Sequence, residues 1–492
     1  MLIESLVILP LAAGGAALLT RPHGPRRLLL LVAALAHLGL VLACWAGPVE
    51  PAWGGTLDLD AAGRLFLTIA SVLFAAAAAY AQSYLKQEDP GLRSDFQEGL
   101  AFANAPERVF TACLLFFLAA MTLVAAARHL GLLWVGVEAT TLASAPLIYF
   151  HRHRRSLEAT WKYLIICSVG IALALLGNIL LSYALFDPGS GIPAMDLDAV
   201  LARAASAHPA WLKAAFACVL VGYGTKAGLA PMHSWLPDAH SESPSLVSAL
   251  LSGALLNCAL LGVLRLFAVC VAAGLGDFAR ELLVAFGLTS MGVAAAFILG
   301  QGDFKRLLAY SSVEHMGIIT LGIGLGGGAA FGSMLHLAGH SLAKAMLFML
   351  AGNILAAFHT KSAHDVHGAV RALPVTGPLW VAGFLAIVGC PPFSLFVSEY
   401  AIAAGALSSG RIGVAAAFLL LLGVVFVGMA TPVLRMAQGP TPPGMAEARP
   451  EPALAVLPAL ALGCGVLVLG LWLPAPLAAT MREAATIFGG AL

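Results

Sequence analysis

Charge is what this chain lacks. Only 10% of its 492 residues are Asp, Glu, Lys or Arg, and 60% are hydrophobic, where a soluble domain carries roughly a quarter charged residues. With a mean hydropathy of +0.92, the chain reads as a polytopic membrane protein. A net charge of +1 leaves no basic surplus for a nucleic-acid partner. The eight cysteines (Cys44, Cys113, Cys167, Cys218, Cys258, Cys270, Cys390 and Cys464) are scattered through apolar segments without a CxxC. They support neither an iron–sulfur nor a zinc site, and each reads as a small buried apolar residue. No GxGxxG follows a strand and no Walker motif occurs, so nothing points to a nucleotide cofactor. The N-terminus has no basic n-region, so residues 1–20 read as a first transmembrane helix and not as a cleaved signal. The longer loops, 86–108 and 187–210, are too short to be soluble domains.

What the chain does have is apolar runs. A bilayer core needs about 20 apolar residues per helix, and on that rule fourteen spans are predicted. They lie at 1–20, 28–47, 62–85, 109–127, 130–150, 159–186, 211–230, 244–271, 281–300, 304–326, 329–357, 376–404, 410–434 and 452–473. A proline-rich linker, 435–452, precedes the last span, and the tail after Trp472 reads as a short interfacial helix. Sixteen Lys and Arg, among them Arg26, Arg27, Arg152, Arg154, Arg155, Lys361 and Arg371, fall on one side. Eight, among them Arg203, Lys213, Arg265 and Arg411, fall on the other. The richer side is cytoplasmic by the positive-inside rule, which puts both termini outside.

The stretch 221–244, VGYGTKAGLAPMHSWLPDAHSESP, organises the rest. Lys226 lies in an apolar run, and five residues on Pro231 removes a backbone donor and breaks the helix. His233, Trp235, Asp238, His240 and Glu242 follow. A lysine in hydrocarbon costs at least roughly 2.5 kcal/mol, and a broken helix survives in a membrane only where it lines a buried or watery cavity. Together they point to an ion path. The competing reading is a helix end with a snorkelling lysine.

Further ionisable groups lie inside predicted spans. Glu138 is mid-span in LLWVGVEATTLASAPLIYF, where a carboxylate is expensive and usually functional, the alternative being a protonated structural acid. His336, His340 and Lys344 are spaced by four and share one helix face, a column suited to proton relay because histidine titrates near neutral pH. A metal site on His336 and His340 lacks a third ligand. Glu399 follows Pro391 and Pro392, which break a second span. Paired interrupted helices in the two halves of a chain mark a transporter with an internal repeat and a midplane site. Glu314 and His315 lie nearer the cytoplasmic end of their span. Ser252 and Asn257 are polar but uncharged positions in the eighth, and His233 and His240 flank the first break. Tyr223 and Tyr310 offer hydroxyl donors.

At LLWVGVEATTL, KAGLAPMHSWLPDAHSESPSLVSALL, DFKRLLAYSSVEHMG, HSLAKAMLFMLAGN and PPFSLFVSEY the chain resembles the antiporter-like membrane subunits of respiratory complex I, multisubunit cation/proton antiporters and energy-converting hydrogenases. The resemblance covers about residues 130 to 405, and SLEATWKYLIICSVGIALAL and YSSVEHMG are most similar to the hydrogenase-4 component F branch. It implies an all-α polytopic membrane protein of about 14 helices with two inverted five-helix repeats and broken helices 7 and 12. The implied division is 1–108 (helices 1–3), 109–271 (first half-channel), 272–434 (second half-channel) and 435–492 (linker and last helix). It further implies a proton path through Glu138, Lys226, Lys344 and Glu399. This chain departs from the pattern in its eighth helix, where some members carry histidine or lysine and it offers only Ser252 and Asn257. The expected path is therefore Glu138, Lys226, Asn257, His336, His340, Lys344 and Glu399, with His233, Asp238, His240, Ser252, Glu314 and His315 secondary. The resemblance implies other membrane subunits and a peripheral redox arm, of NiFe-hydrogenase or NADH dehydrogenase type, as partners in a bacterial inner membrane, and no cofactor or metal in this chain. A sodium/proton antiporter subunit and a passive scaffold are the alternatives. Lysines and histidines in place of oxygen ligands favour protons.

Overall fold

The structure is a computed structural model that describes residues 1–88, 91–94, 99, 101–187, 189, 191, 194–442 and 448–488. Residues 443–447 of the expected linker, parts of the loops 86–108 and 187–210, and the last four residues lie outside the described residues.

Apolar runs become helices here because a helix satisfies its own backbone where water is absent. Among the described residues, eleven helices are long and apolar enough to cross a membrane. The chain is thus a multi-pass, essentially all-α membrane protein. The other predicted stretches are helical too but depart from simple spans. Phe304–Leu325 carries Lys305, Arg306 and Glu314. Pro209–Lys226 stops at its lysine, and the 376–404 stretch divides into Thr376–Ile387 and Ser394–Ser408. One small non-helical element was not foreseen, an antiparallel pairing of Leu92–Ser94 with Ala101–Ala103. The tail forms the helix Ala475–Ile487, which packs on Ala61–Gln87 and Gly327–Phe358.

Side-chain caps fix several helix starts. Asp60 accepts from Gly63 N at 2.8 Å, and Asp303 accepts from Lys305 N at 2.8 Å and Arg306 N at 3.1 Å, which satisfies donors that the first turn leaves free. Asp60 also pairs with Arg128 at 2.8 Å and with Arg265, tying the start of its helix to the connection before Leu130–Ile148 and to the Ser245–Ala272 helix. Burial pushes its carboxyl up, but the Arg265 guanidinium overcomes this and holds it below its ordinary range.

The Ser245–Ala272 helix is buried along almost its whole length. It packs against Pro209–Lys226, Gly276–Ile298 and Gly327–Phe358, so it stands between the two halves of the chain. Arg154–Ala184 and Ile412–Ala437 instead turn large apolar side chains outward, among them Ile165, Val169, Ile179, Leu420 and Val427. Close approach sets the Lys226 helix in place. A Cβ on Gly222 would lie 2.6 Å from Gly170 O, and one on Gly170 would lie 2.8 Å from Thr225 Cβ. Small residues at a membrane helix contact permit this approach.

Candidate functional site

The first cluster is built on a helix end. Lys226 is the last residue of its helix and is fully buried. The final carbonyls of a helix are unpaired and carry partial negative charge, which favours a cation by about 0.3–1 kcal/mol and up to ~2 when partly buried. Beyond it Gly228 takes φ +78, and the Ala230–Pro231 peptide is cis. The groups freed by the break find partners: Trp235 Nε1 donates to Thr225 O at 2.8 Å, and Ala230 N donates to Ser290 Oγ at 3.0 Å. These bonds answer the requirement that backbone at membrane depth be satisfied.

From that end Lys226 Nζ donates to Val137 O at 2.5 Å and to Thr141 Oγ1. Thr141 in turn donates to Glu138 Oε2 at 3.0 Å, and Ser168 donates to Glu138 Oε1 at 3.2 Å. Glu138 and Lys226 therefore meet through one hydroxyl, which accepts from the amine and donates to the carboxylate. No direct ion pair joins them among the described residues. Thr141 is fully buried.

The centre is polar as well. In the Ser245–Ala272 helix the segment Leu251–Leu255 adopts π geometry, a feature frequent at functional sites. Asn257 Nδ2 donates to Gly253 O and to Ser341 Oγ, both at 2.8 Å, and Ser252 and Ser312 share a hydrogen bond of 2.8 Å. Asn257 thus joins the central helix to the helix that carries Lys344. Its neighbour Cys258 lies within electrostatic reach of Lys226.

The second cluster gathers three helices, Phe304–Leu325, Gly327–Phe358 and Ser394–Ser408. Lys344, fully buried, donates to Leu308 O at 2.7 Å and interacts electrostatically with Glu314. His315 Nδ1 and His336 Nε2 share a hydrogen bond of 2.8 Å, and His336 Nδ1 meets Ser398 Oγ at 2.9 Å. The His340 ring lies tilted against His315, with centroids 5.0 Å apart. Glu399 is buried, and its Oε1 has no hydrogen-bond partner among the described residues. Gly389, at φ +69, lets the second break pass directly over this carboxyl: a Cβ there would lie 2.0 Å from Glu399 Oε2. His315 and Glu399 supply what His336 lacked in the sequence, since ligand atoms of His315, His336 and Glu399 lie within 4.8 Å of one another.

The remaining candidates stand apart. Asp238 pairs with Lys162 at 2.9 Å and Arg306 at 2.6 Å, an ionic clamp away from the buried groups. His233 packs beside Phe297 and Tyr310. His240 is fully buried, stacks on Phe348 at 5.3 Å and lies within electrostatic reach of Lys305 and Lys344. Nearby, Glu242 pairs with Lys361 at 2.8 Å. Burial pushes the Glu242 carboxyl up, but Lys361, with Arg155 and His153, holds it below the ordinary range. Glu242, Lys361, Lys305, His153 and Tyr80 line a cavity of ≈ 220 Å³.

Sequence reasoning missed the hydroxyls. Thr141, Ser168, Ser341 and Ser398 each hold one of the ionisable or amide groups above, yet a lone hydroxyl in an apolar run usually bonds its own helix backbone. The available signal was position: Ser341 lies three residues before Lys344, Ser398 adjoins Glu399, and Thr141 is three residues after Glu138.

The family model described as NADH:quinone oxidoreductase/Mrp antiporter, TM, matches residues 127–426. The chain is 42% identical over 289 residues to the hydrogenase-4 component F homolog of Methylacidiphilum infernorum (isolate V4), a match spanning 58% of this chain and 60% of that protein's length. It is 31% identical over 437 residues to NADH-quinone oxidoreductase subunit N of Desulforudis audaxviator (strain MP104C), covering 86% of this chain and 83% of that one. Its fold matches a chain of the membrane-bound sulfane sulfur reductase (MBS), an archaeal respiratory membrane complex, with a TM-score of 0.86 at 21% identity, covering 99% and 97% of the two chains.

Proposed function

Because the chain belongs to the NADH:quinone oxidoreductase/Mrp antiporter family of membrane subunits, we propose that it moves protons within a hydrogenase-4-like respiratory assembly. Redox chemistry in partner subunits drives the movement. The observation that carries this reading is the Lys226–Thr141–Glu138 chain, in which one buried hydroxyl bridges a buried amine and a carboxylate. A proton loaded on Lys226 has a hydrogen-bonded route to Glu138. From Lys226 the relay continues past Asn257 and Ser341 to Lys344, then through Glu314, His315 and His336 to Glu399, with His340 beside it. Asn257 takes the place of the ionisable residue that some relatives carry in the eighth helix. In this reading protons enter from the cavity that Glu242 and Lys305 line.

In this reading the three helices that depart from simple spans cross the membrane too, giving fourteen spans with both termini outside the cytoplasmic membrane. Residues 109–271 and 272–434 form two inverted half-channel repeats between the first three helices and the last. The 42% identity to a hydrogenase-4 component F homolog favours a NiFe-hydrogenase arm over an NADH dehydrogenase arm as the redox partner. Lysine amines and histidine imidazoles stand along the buried path, Lys226, Lys344, His315, His336 and His340 among them, where a sodium ion needs several oxygen ligands, so protons are the cargo. The test uses inverted membrane vesicles that hold the intact assembly. Glu138→Gln abolishes redox-driven acidification while electron transfer to an artificial acceptor persists. Full acidification by this variant overturns the proposal.

A further inference from the structure

We infer that His315, His336 and Glu399 form a binding site for a divalent cation of the zinc class, and that the bound ion stops the relay. The site is built from three buried residues on three separate helices, Phe304–Leu325, Gly327–Phe358 and Ser394–Ser408. Two imidazole nitrogens and one carboxylate oxygen form a donor set that zinc uses in open sites, where the fourth position is left to water. Among the described residues the buried Glu399 Oε1 has no hydrogen-bond partner, so the cluster is under-satisfied as it stands.

The contact of its Nδ1 with Ser398 prepares His336 for this role. Ser398 Oγ donates to Leu395 O at 2.8 Å, so it can only accept from His336 Nδ1 at 2.9 Å. His336 then carries its proton on Nδ1 and presents the Nε2 lone pair to His315. Metal-ligating histidines almost always have their second nitrogen anchored in this way. Glu399 is the most open of the three at 7% exposure, against 1% for His315 and 0% for His336. It lies behind the break at Pro391 and Pro392, whose residues are exposed.

Zinc bonds of about 2.0–2.1 Å to nitrogen place tetrahedral ligand atoms about 3.3 Å apart. The His315–His336 contact of 2.8 Å must open slightly, and the proton shared between the rings must leave. Ion and shared proton therefore exclude one another. The binding claim rests on geometry alone, whereas the block rests on the relay reading above.

The test is calorimetric titration of zinc chloride into the purified full chain, stripped of metal by chelator, with zinc X-ray absorption on the product. One equivalent binds, with nitrogen and oxygen ligands only. His336→Gln and Glu399→Gln each weaken binding at least tenfold, and Ser398→Ala, which leaves all three ligands in place, weakens it about tenfold. Substitution of the exposed His208→Gln leaves binding unchanged. Absence of binding to the parent, sulfur ligation, or affinity unmoved by the His336 and Glu399 variants overturns the site. Thermal melting of each metal-free variant separates lost ligands from lost folding. In vesicles holding the assembly, zinc abolishes acidification by the parent, and Ser398→Ala shifts the required concentration upward by the factor seen in binding. Stoichiometric binding with undiminished acidification retains the site and overturns the block, and with it the place of His315 and His336 in the relay.

Discussion

Replacing Thr141 by valine tests the hydroxyl bridge with little other change. Thr141 is fully buried, and valine keeps its branched shape while removing the oxygen. Lys226 then keeps only Val137 O of its two described acceptors, and Glu138 keeps only Ser168 of its two described donors. A hydrogen bond to a charged group contributes about 1.5–3 kcal/mol net. At about 1.4 kcal/mol per factor of ten, proton exchange between Lys226 and Glu138 slows about tenfold to a hundredfold. Thr141→Ser restores a hydroxyl at the same position and restores most of the rate. The assay is fluorescence quenching by inverted vesicles energised with whichever donor the assembly oxidises, normalised to electron transfer. Subunit content and thermal melting should match the parent in both variants. Equal acidification by Thr141→Val and the parent would refute the bridge, and so would equal loss in the valine and serine variants.

Two further outcomes follow from charge. Reporter fusions after Arg155 and after Lys361 should both read cytoplasmic, and an external reading at either removes the proposed topology. The carboxyl of Glu242 is held below its ordinary range, with Lys361 opposing the effect of burial, so its folded-state value lies under the unfolded value of about 4.3. Its contribution to stability is therefore present above that pH and lost as pH falls through the folded value. Glu242→Gln should lower the melting temperature near neutral pH, and the gap to the parent should close as pH falls below the unfolded value and through the folded one. A gap that stays constant across that range contradicts the ion pair's role.

The positions of the ionisable groups within apolar runs were legible in the sequence, because an ionisable residue there has no cheap explanation. Lys226, Pro231, Glu138, Lys344 and Glu399 stood out for that reason. The end of the Lys226 helix was not legible: the sequence put it near Pro231, but the helix stops at the lysine, and Gly228 begins the turn. Where a proline breaks a helix is visible, whereas how many residues unwind ahead of it depends on partners such as Trp235 and Ser290 from elsewhere. His315 read as a secondary group because its partners, His336 and Glu399, lie on other helices and only packing brings them together. The same holds for Asn257, whose bond to Ser341 spans 84 residues of sequence. For Asp238 the place beside the first break was visible, but its clamp by Lys162 and Arg306 was not.

The central claim is that the polar groups from Glu138 to Glu399 act as one relay in series. The most direct measurement compares redox-driven acidification by Lys226→Ala, by Lys344→Ala and by the double variant, each normalised to electron transfer. A series relay predicts that either single substitution abolishes acidification as completely as the double. If each single variant keeps about half of the parent's acidification and only the double is silent, the two halves conduct independently and the account is wrong.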